Sequence, residues 1–245
     1  MILHRLINHV KGQHWTALFL DFVIVVVGVF IGLQVNNWNQ ARIQHVALER
    51  QLTSLRIEME ANLSTLASWK KDEETDLKNI QSIRASFTKG TGLDDASAMN
   101  RKLLYLAYVE QVNIDTSAYE RLINSGYLNQ LAGTPLYKAI LAWGTARTEL
   151  AHVHNTALTI RAMGTESLLG VLSYESIFEY YTPAKPYNAP PHFKNDFAAL
   201  AKNRKLASYL ALKTAVEVQT LRYTTNLDER TRQLVDLLEK RAPKK

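Results

Sequence analysis

The chain has 245 residues, 47% of them hydrophobic, enough for one substantial packed domain and an appendage. It contains no cysteine, which excludes disulfides, thiolate metal sites and a cysteine nucleophile. The formal net charge is +6, but Lys and Arg are interleaved with Glu and Asp, and dense spots such as Lys70-Lys71 and Lys244-Lys245 are short. That dispersal argues against the basic patch or stripe of a nucleic-acid binder.

Residues 1–14 open with MILHRLINHVK, where Ile2, Leu3, Leu6, Ile7 and Val10 alternate at helical spacing with His4, Arg5, Asn8 and Lys11. This pattern predicts an amphipathic segment lying in a membrane surface. Residues 15–38 follow as the expected transmembrane helix. Thr16 to Val35 carries one charge, Asp21, and is about 30 Å long at 1.5 Å per residue, the thickness of a bilayer core. Trp15 and Trp38 bracket the run as interface anchors, and Asn36, Asn37 and Asn39 mark its hydrated exit. No small-x-small cleavage site precedes Arg42, so an uncleaved signal anchor is expected. Arg5 and Lys11 on one flank, against Arg42 and Arg50 offset by Glu49 on the other, lean toward a cytoplasmic N-terminus. The remaining domain is then expected outside the inner membrane, in the periplasm if the cell is Gram-negative.

Within the span, Asp21, Gly28 and Gly32 are seven and four residues apart and align within about 20° on a helix. Gly28-x-x-x-Gly32 lets a second helix approach closely; Asp21 lies in the first turns, where the helix dipole favours an anion, and a partner or a proton relieves a cost that reaches about 2.5–3.5 kcal/mol for a carboxylate deeper in lipid. Besides the lipid bilayer, the expected partners are therefore a second copy or another transmembrane helix.

Residues 39–241 read as a helical-bundle soluble domain, with a basic tail at 242–245. Leu48, Leu52, Leu55, Met59, Leu66, Trp69, Ile80, Ile83 and Phe87 follow a four-three spacing, with Asn62, Glu73 and Asp76 in its gaps. One long helix ending at Gly90 is expected. Asp94 or Asp95 starts a second helix to about Gln111, and Asp115-Thr116 a third ending near Ser125-Gly126. Thr134-Pro135 starts a fourth, running toward Leu172 and weakened at Gly144 and Gly164. The prolines of residues 182–193 mark the longest loop, and Asn195-Asp196 opens a last helix to about Lys240. Its expected apolar face includes Leu206, Tyr209, Leu210, Leu212, Val216, Leu227 and Leu234. The fold class expected is all-α: an N-terminal transmembrane helix followed by an elongated antiparallel helical bundle with coiled-coil-like seams.

Asp21-Phe22, Gly28-Val29 and Leu33-Gln34-Val35-Asn36-Asn37-Trp38-Asn39 resemble a widespread bacterial family of membrane-anchored proteins of unknown function. Members have an acidic residue, a Val- and Ile-rich span and an "ALQxNNWNE"-like exit. Thr116-Ser117-Ala118-Tyr119-Glu120, followed by Leu122, Ser125-Gly126 and Leu128, is a second point of similarity. Gly32 stands where alanine is usual, Gln40 where an acid is usual and Asp21 where glutamate is commoner. The resemblance implies the same architecture and no activity.

No chemistry-bearing motif stands out. His152 and His154 are two residues apart, on different helix faces, as are Glu58 and Glu60, so neither pair chelates as an i, i+4 pair does. Gly90-Thr91-Gly92 lacks the context of a phosphate loop. Tyr180, Tyr181 and Tyr187 beside the proline loop pin a loop or line a groove. No metal, cofactor or catalytic residue is expected. A non-catalytic interaction, scaffold or sensory module with a protein or small-ligand partner is the leading expectation; a membrane-tethered enzyme with an unrecognised site is the alternative.

Overall fold

One helix, α1 (Trp15–Lys89), carries both the apolar run and the four-three seam without a break. The computed structural model describes residues 15–107, 113–179 and 190–241, with side chains beginning at Phe19. The amphipathic segment 1–14, the indole of Trp15, the approach to Gln111, Tyr180, Tyr181, Tyr187 and the tail 242–245 lie outside the described residues. The chain divides into two units, residues 1–52 and 53–245.

From Phe19 to Val35 α1 is apolar on all sides and exposed on nearly all of them. Phe19, Phe22, Val29 and Leu33 are each more than half exposed, and Trp38 is 67% exposed. This stretch makes α1 the one helix, among the described residues, long and apolar enough to cross a membrane, and it lies near the N-terminus. Leu48 and Leu52, at the end of the unit, are buried.

The second unit is helical throughout its described residues, with no strand. After α1 come α2 (Ala96–Ala107) and α3 (Ser117–Asn124), a 3-10 turn (Tyr127–Leu131), and α4 (Pro135–Leu168). The short helices α5 (Tyr174–Phe178) and α6 (Phe197–Leu200) precede α7 (Arg204–Arg241). Local chemistry accounts for most of these boundaries. Asp95 Oδ1 accepts from Ala98 N (2.9 Å), and Thr134 Oγ1 accepts from Tyr137 N (3.1 Å) ahead of Pro135. α3 ends at Ser125, and Gly126 at φ +76° takes the left-handed turn that a Cβ would penalise.

The four-three seam is buried as expected: Leu55, Met59, Leu66, Trp69, Ile80 and Ile83 are all core, with Phe87 partly buried. One core cluster joins Ile80 and Ile83 to Met99 and Leu103 of α2, Leu168 of α4, Ile177 of α5 and Leu206, Tyr209 and Leu210 of α7.

Four details depart from the sequence pattern. The last helix is two, because the chain turns at residues 201–203; Asp196 caps α6 and Asn203 caps α7 through Leu206 N (3.0 Å). A short helix, α5, forms ahead of the expected 182–193 loop, capped by Ser173, and within that loop Pro191–Phe193 form a 3-10 turn begun by proline. Gly144 and Gly164 do not weaken α4. A Cβ at either would overlap a tyrosine ring, Tyr119 at Gly144 and Tyr209 at Gly164, so glycine there is what permits close packing. Leu212 is 49% exposed rather than core.

Candidate functional site

The expected membrane-face residues lie on one continuous helix, and none meets another element. Asp21, Gly28 and Gly32 are exposed, and a Cβ at either glycine would have nothing within 4 Å. The face is therefore open to a second helix, the condition under which a small-xxx-small pair promotes association.

The segment Thr116–Glu120 turns out to be a docking point inside the second unit. Asp115 Oδ1 accepts from Ser117 N (2.9 Å) and Ser117 Oγ (2.7 Å), and Thr116 Oγ1 donates to Glu120 Oε1 (2.8 Å). The free amides at the start of α3 are satisfied from α1. Glu58 Oε2 accepts from Ala118 N, and Oε1 from Tyr119 N at 3.1 Å. A carboxylate at a helix N-terminus is favoured by the helix dipole. Burial lifts the Glu58 pKa above its ordinary value, and the two amide donors pull it back. One turn further on, Asn62 Nδ2 donates to Asp115 O (2.8 Å) while its Oδ1 accepts from Asp115 N (3.0 Å). The asparagine side chain thus pairs a backbone unit in both directions. Tyr119 then packs on Trp143, ring centroids 4.9 Å apart, and Trp143 Nε1 donates to Thr231 Oγ1 (3.0 Å). Glu58, Tyr119, Trp143 and Thr231 tie α1, α3, α4 and α7 together. Glu58 thus serves as a remote cap, a role not legible in the sequence; of Asn62 only its position in the seam was legible.

The second polar constellation was also unread. Lys213 is 1% exposed, and Glu217 and Glu73 are nearly as buried. Lys213 Nζ lies 2.5 Å from Glu217 Oε1, an ion pair without an aligned hydrogen bond. Two carboxyls and one ammonium share this space, so one carboxyl has no countercharge. Burial, followed by the nearby Glu217 and Asp76 carboxyls, pushes Glu73 up to about 9, with Lys213 and Thr224 opposing. Glu73 is then the neutral member at pH 7. Glu73 Oε2 is 3.5 Å from Thr224 Oγ1, whose own proton is better placed toward Thr220 O at 2.9 Å. His154 is pushed below its ordinary value by burial, Glu217 opposing; it meets Trp69 edge-on at 5.9 Å. His152, by contrast, is exposed. No three His, Asp or Glu side chains converge to hold a metal ion among the described residues.

The signal for this cluster was present. Leu206, Leu210, Lys213, Glu217, Thr220, Thr224, Leu227, Thr231 and Leu234 form one four-three stripe, so Lys213 and Glu217 occupy seam positions. Comparison with known proteins yields no match to any family model, curated protein or solved structure.

Proposed function

We propose that the chain is a single-pass protein of the bacterial inner membrane, anchored by residues 15–38, and that it belongs to the family whose span and exit motif it resembles. Its second unit is an antiparallel helical bundle in the periplasm, acting as a non-catalytic interaction, scaffold or sensory module. The observation that carries the reading is the exposure of the apolar run. From Phe19 to Val35 the side chains are apolar almost throughout and solvent-facing, a state that water disfavours and lipid favours. The antiparallel arrangement is supported by paired positions. Trp143 meets Thr231 whereas Gly164 faces Tyr209, and Glu73 approaches Thr224 whereas Arg84 Nη1 donates to Thr214 Oγ1 (3.2 Å). As one helix advances, its partner retreats.

The test is a pair of C-terminal reporter fusions, one active only in the periplasm and one only in the cytoplasm. Periplasmic activity with the protein resistant to carbonate extraction is expected. Cytoplasmic activity reverses the orientation, and a fully extractable protein ends the anchor. The open face of Asp21, Gly28 and Gly32 is assigned to pairing with a second copy. A self-association reporter carrying residues 15–38 should lose signal with Gly32→Ile and keep it with Val26→Ile; equal signals from wild type and Gly32→Ile would remove the homodimer.

A further inference from the structure

Between α4 and α7 runs a groove of about 520 Å³, within the range of small-ligand sites. Its two ends differ in chemistry. Ile160, Met163 and Leu212 wall one part, while Arg204 and Lys205, with the hydroxyl of Ser208, line another. Its floor is the ring of Tyr209 against Gly164, where a Cβ would overlap the ring. The Tyr209 hydroxyl is engaged with Leu106 O (3.2 Å), so the ring offers the groove its apolar body. Met163 is 66% exposed and Leu212 49%, large apolar side chains that no element of the described chain covers.

Charge selects among occupants. The lining holds two cations and no acid. Arg204 also begins a 38-residue helix, whose N-terminal end favours an anion. From Lys205 to Leu212 the helix rises about 10 Å, so the cationic end and the apolar end are separated along one path.

We propose that this groove binds a single-chain amphiphile with an anionic head, of the fatty-acid type. The carboxylate sits at Arg204 and Lys205, and the chain crosses Tyr209 to lie between Met163 and Leu212. One groove with one apolar end suits one chain, which favours a free amphiphile over a two-chain phospholipid. The site lies wholly within the second unit and does not depend on membrane anchoring. It goes beyond the interaction module proposed above by naming a ligand.

The experiment uses the full chain in nanodiscs of zwitterionic lipid, photolabelled with dodecanoate bearing a terminal diazirine and mapped by peptide mass spectrometry. Label is expected on residues 160–167 or 208–212. Unmodified dodecanoate should suppress it, and dodecanol should need at least about tenfold more, the loss of one charge contact of about 1.4 kcal/mol. Leu212→Trp and Met163→Trp, both at exposed positions, should fill the groove and abolish label without changing thermal unfolding. Arg204→Ala with Lys205→Ala should reduce it about tenfold or more. Label indifferent to these substitutions, equal competition by dodecanol, or label confined to residues 19–46 would overturn the proposal. Suppression on exchanging the disc lipid for an anionic phospholipid would overturn the single-chain assignment.

Discussion

Residues 19–35 and residues 53–89 belong to the same helix and are both rich in aliphatic side chains, yet they meet opposite fates. In the first stretch Phe, Val, Ile and Leu point in every direction and stay exposed. In the second, apolar residues recur every fourth then third position, and these are buried while Ile57, off the stripe, is 58% exposed. The difference lies in periodicity and not in content. A helix apolar all round has no polar face to give to water and asks for an apolar solvent. A striped helix can satisfy both water and core at once. The second stretch also admits polar groups into its seam, Glu58, Asn62 and Glu73, because tertiary partners meet them there.

The sharpest test of the seam is Leu55→Ala. Leu55 is fully buried, and truncation removes its apolar contacts and leaves a cavity, costing about 2–5 kcal/mol. Urea unfolding of the full chain in detergent should shift accordingly, and an unchanged midpoint would remove Leu55 from the core.

Next comes one chemical change made in both regions. Val27→Arg in the exposed apolar run should raise the cost of insertion by about 2.5–3.5 kcal/mol and lower the carbonate-resistant fraction. Ile57→Arg, on the exposed side of the seam, should change stability by no more than about 0.5 kcal/mol and leave extraction unaltered. Identical behaviour of the two variants would erase the distinction between the regions.

The last test concerns the buried charges and reads a slope with pH instead of a fixed loss. Glu73 has a folded pKa of about 9 against an ordinary value of 4.5, so between those values the folded chain holds a proton that the unfolded chain releases. The associated stability is fully present below about pH 4.5 and is lost as pH rises through about 9, with a slope of at most about 1.4 kcal/mol per pH unit from this group. Glu73→Gln keeps the shape and removes the proton, and should flatten stability between pH 6 and 8. A wild-type profile already flat there would mean that Glu73 is ionised beside Lys213.

Much of the helical framework was legible before any tertiary structure. Gly90 ends α1, Asp95 caps α2, Thr134-Pro135 starts α4 and Gly126 closes α3, because each of these events is decided by a residue's own backbone preferences or by a side chain within three positions. Less was legible where a neighbour distant in sequence decides. Thr116 makes no cap to α3, since Glu58, 60 residues earlier, takes two of its amides. Gly144 and Gly164 read as weak points, but their use is to admit Tyr119 and Tyr209, which only assembled helices bring near. The break at residues 201–203 has no proline or glycine; it rests on Asn203 serving as a cap, a role an asparagine fills only when the chain turns.

The sequence by itself determined most of the helical stretches, where the apolar run begins and ends, and which stripe of α1 is buried, because periodicity and capping are local. Only the tertiary structure decided that Lys213 and Glu217 share the core with Glu73, that Leu212 lies on a groove rim, and that Glu58 serves as a helix cap. Seam spacing marks Lys213 and Glu217 as buried, but which side chains meet across 60 to 150 residues is set by packing and leaves no periodic trace in the chain.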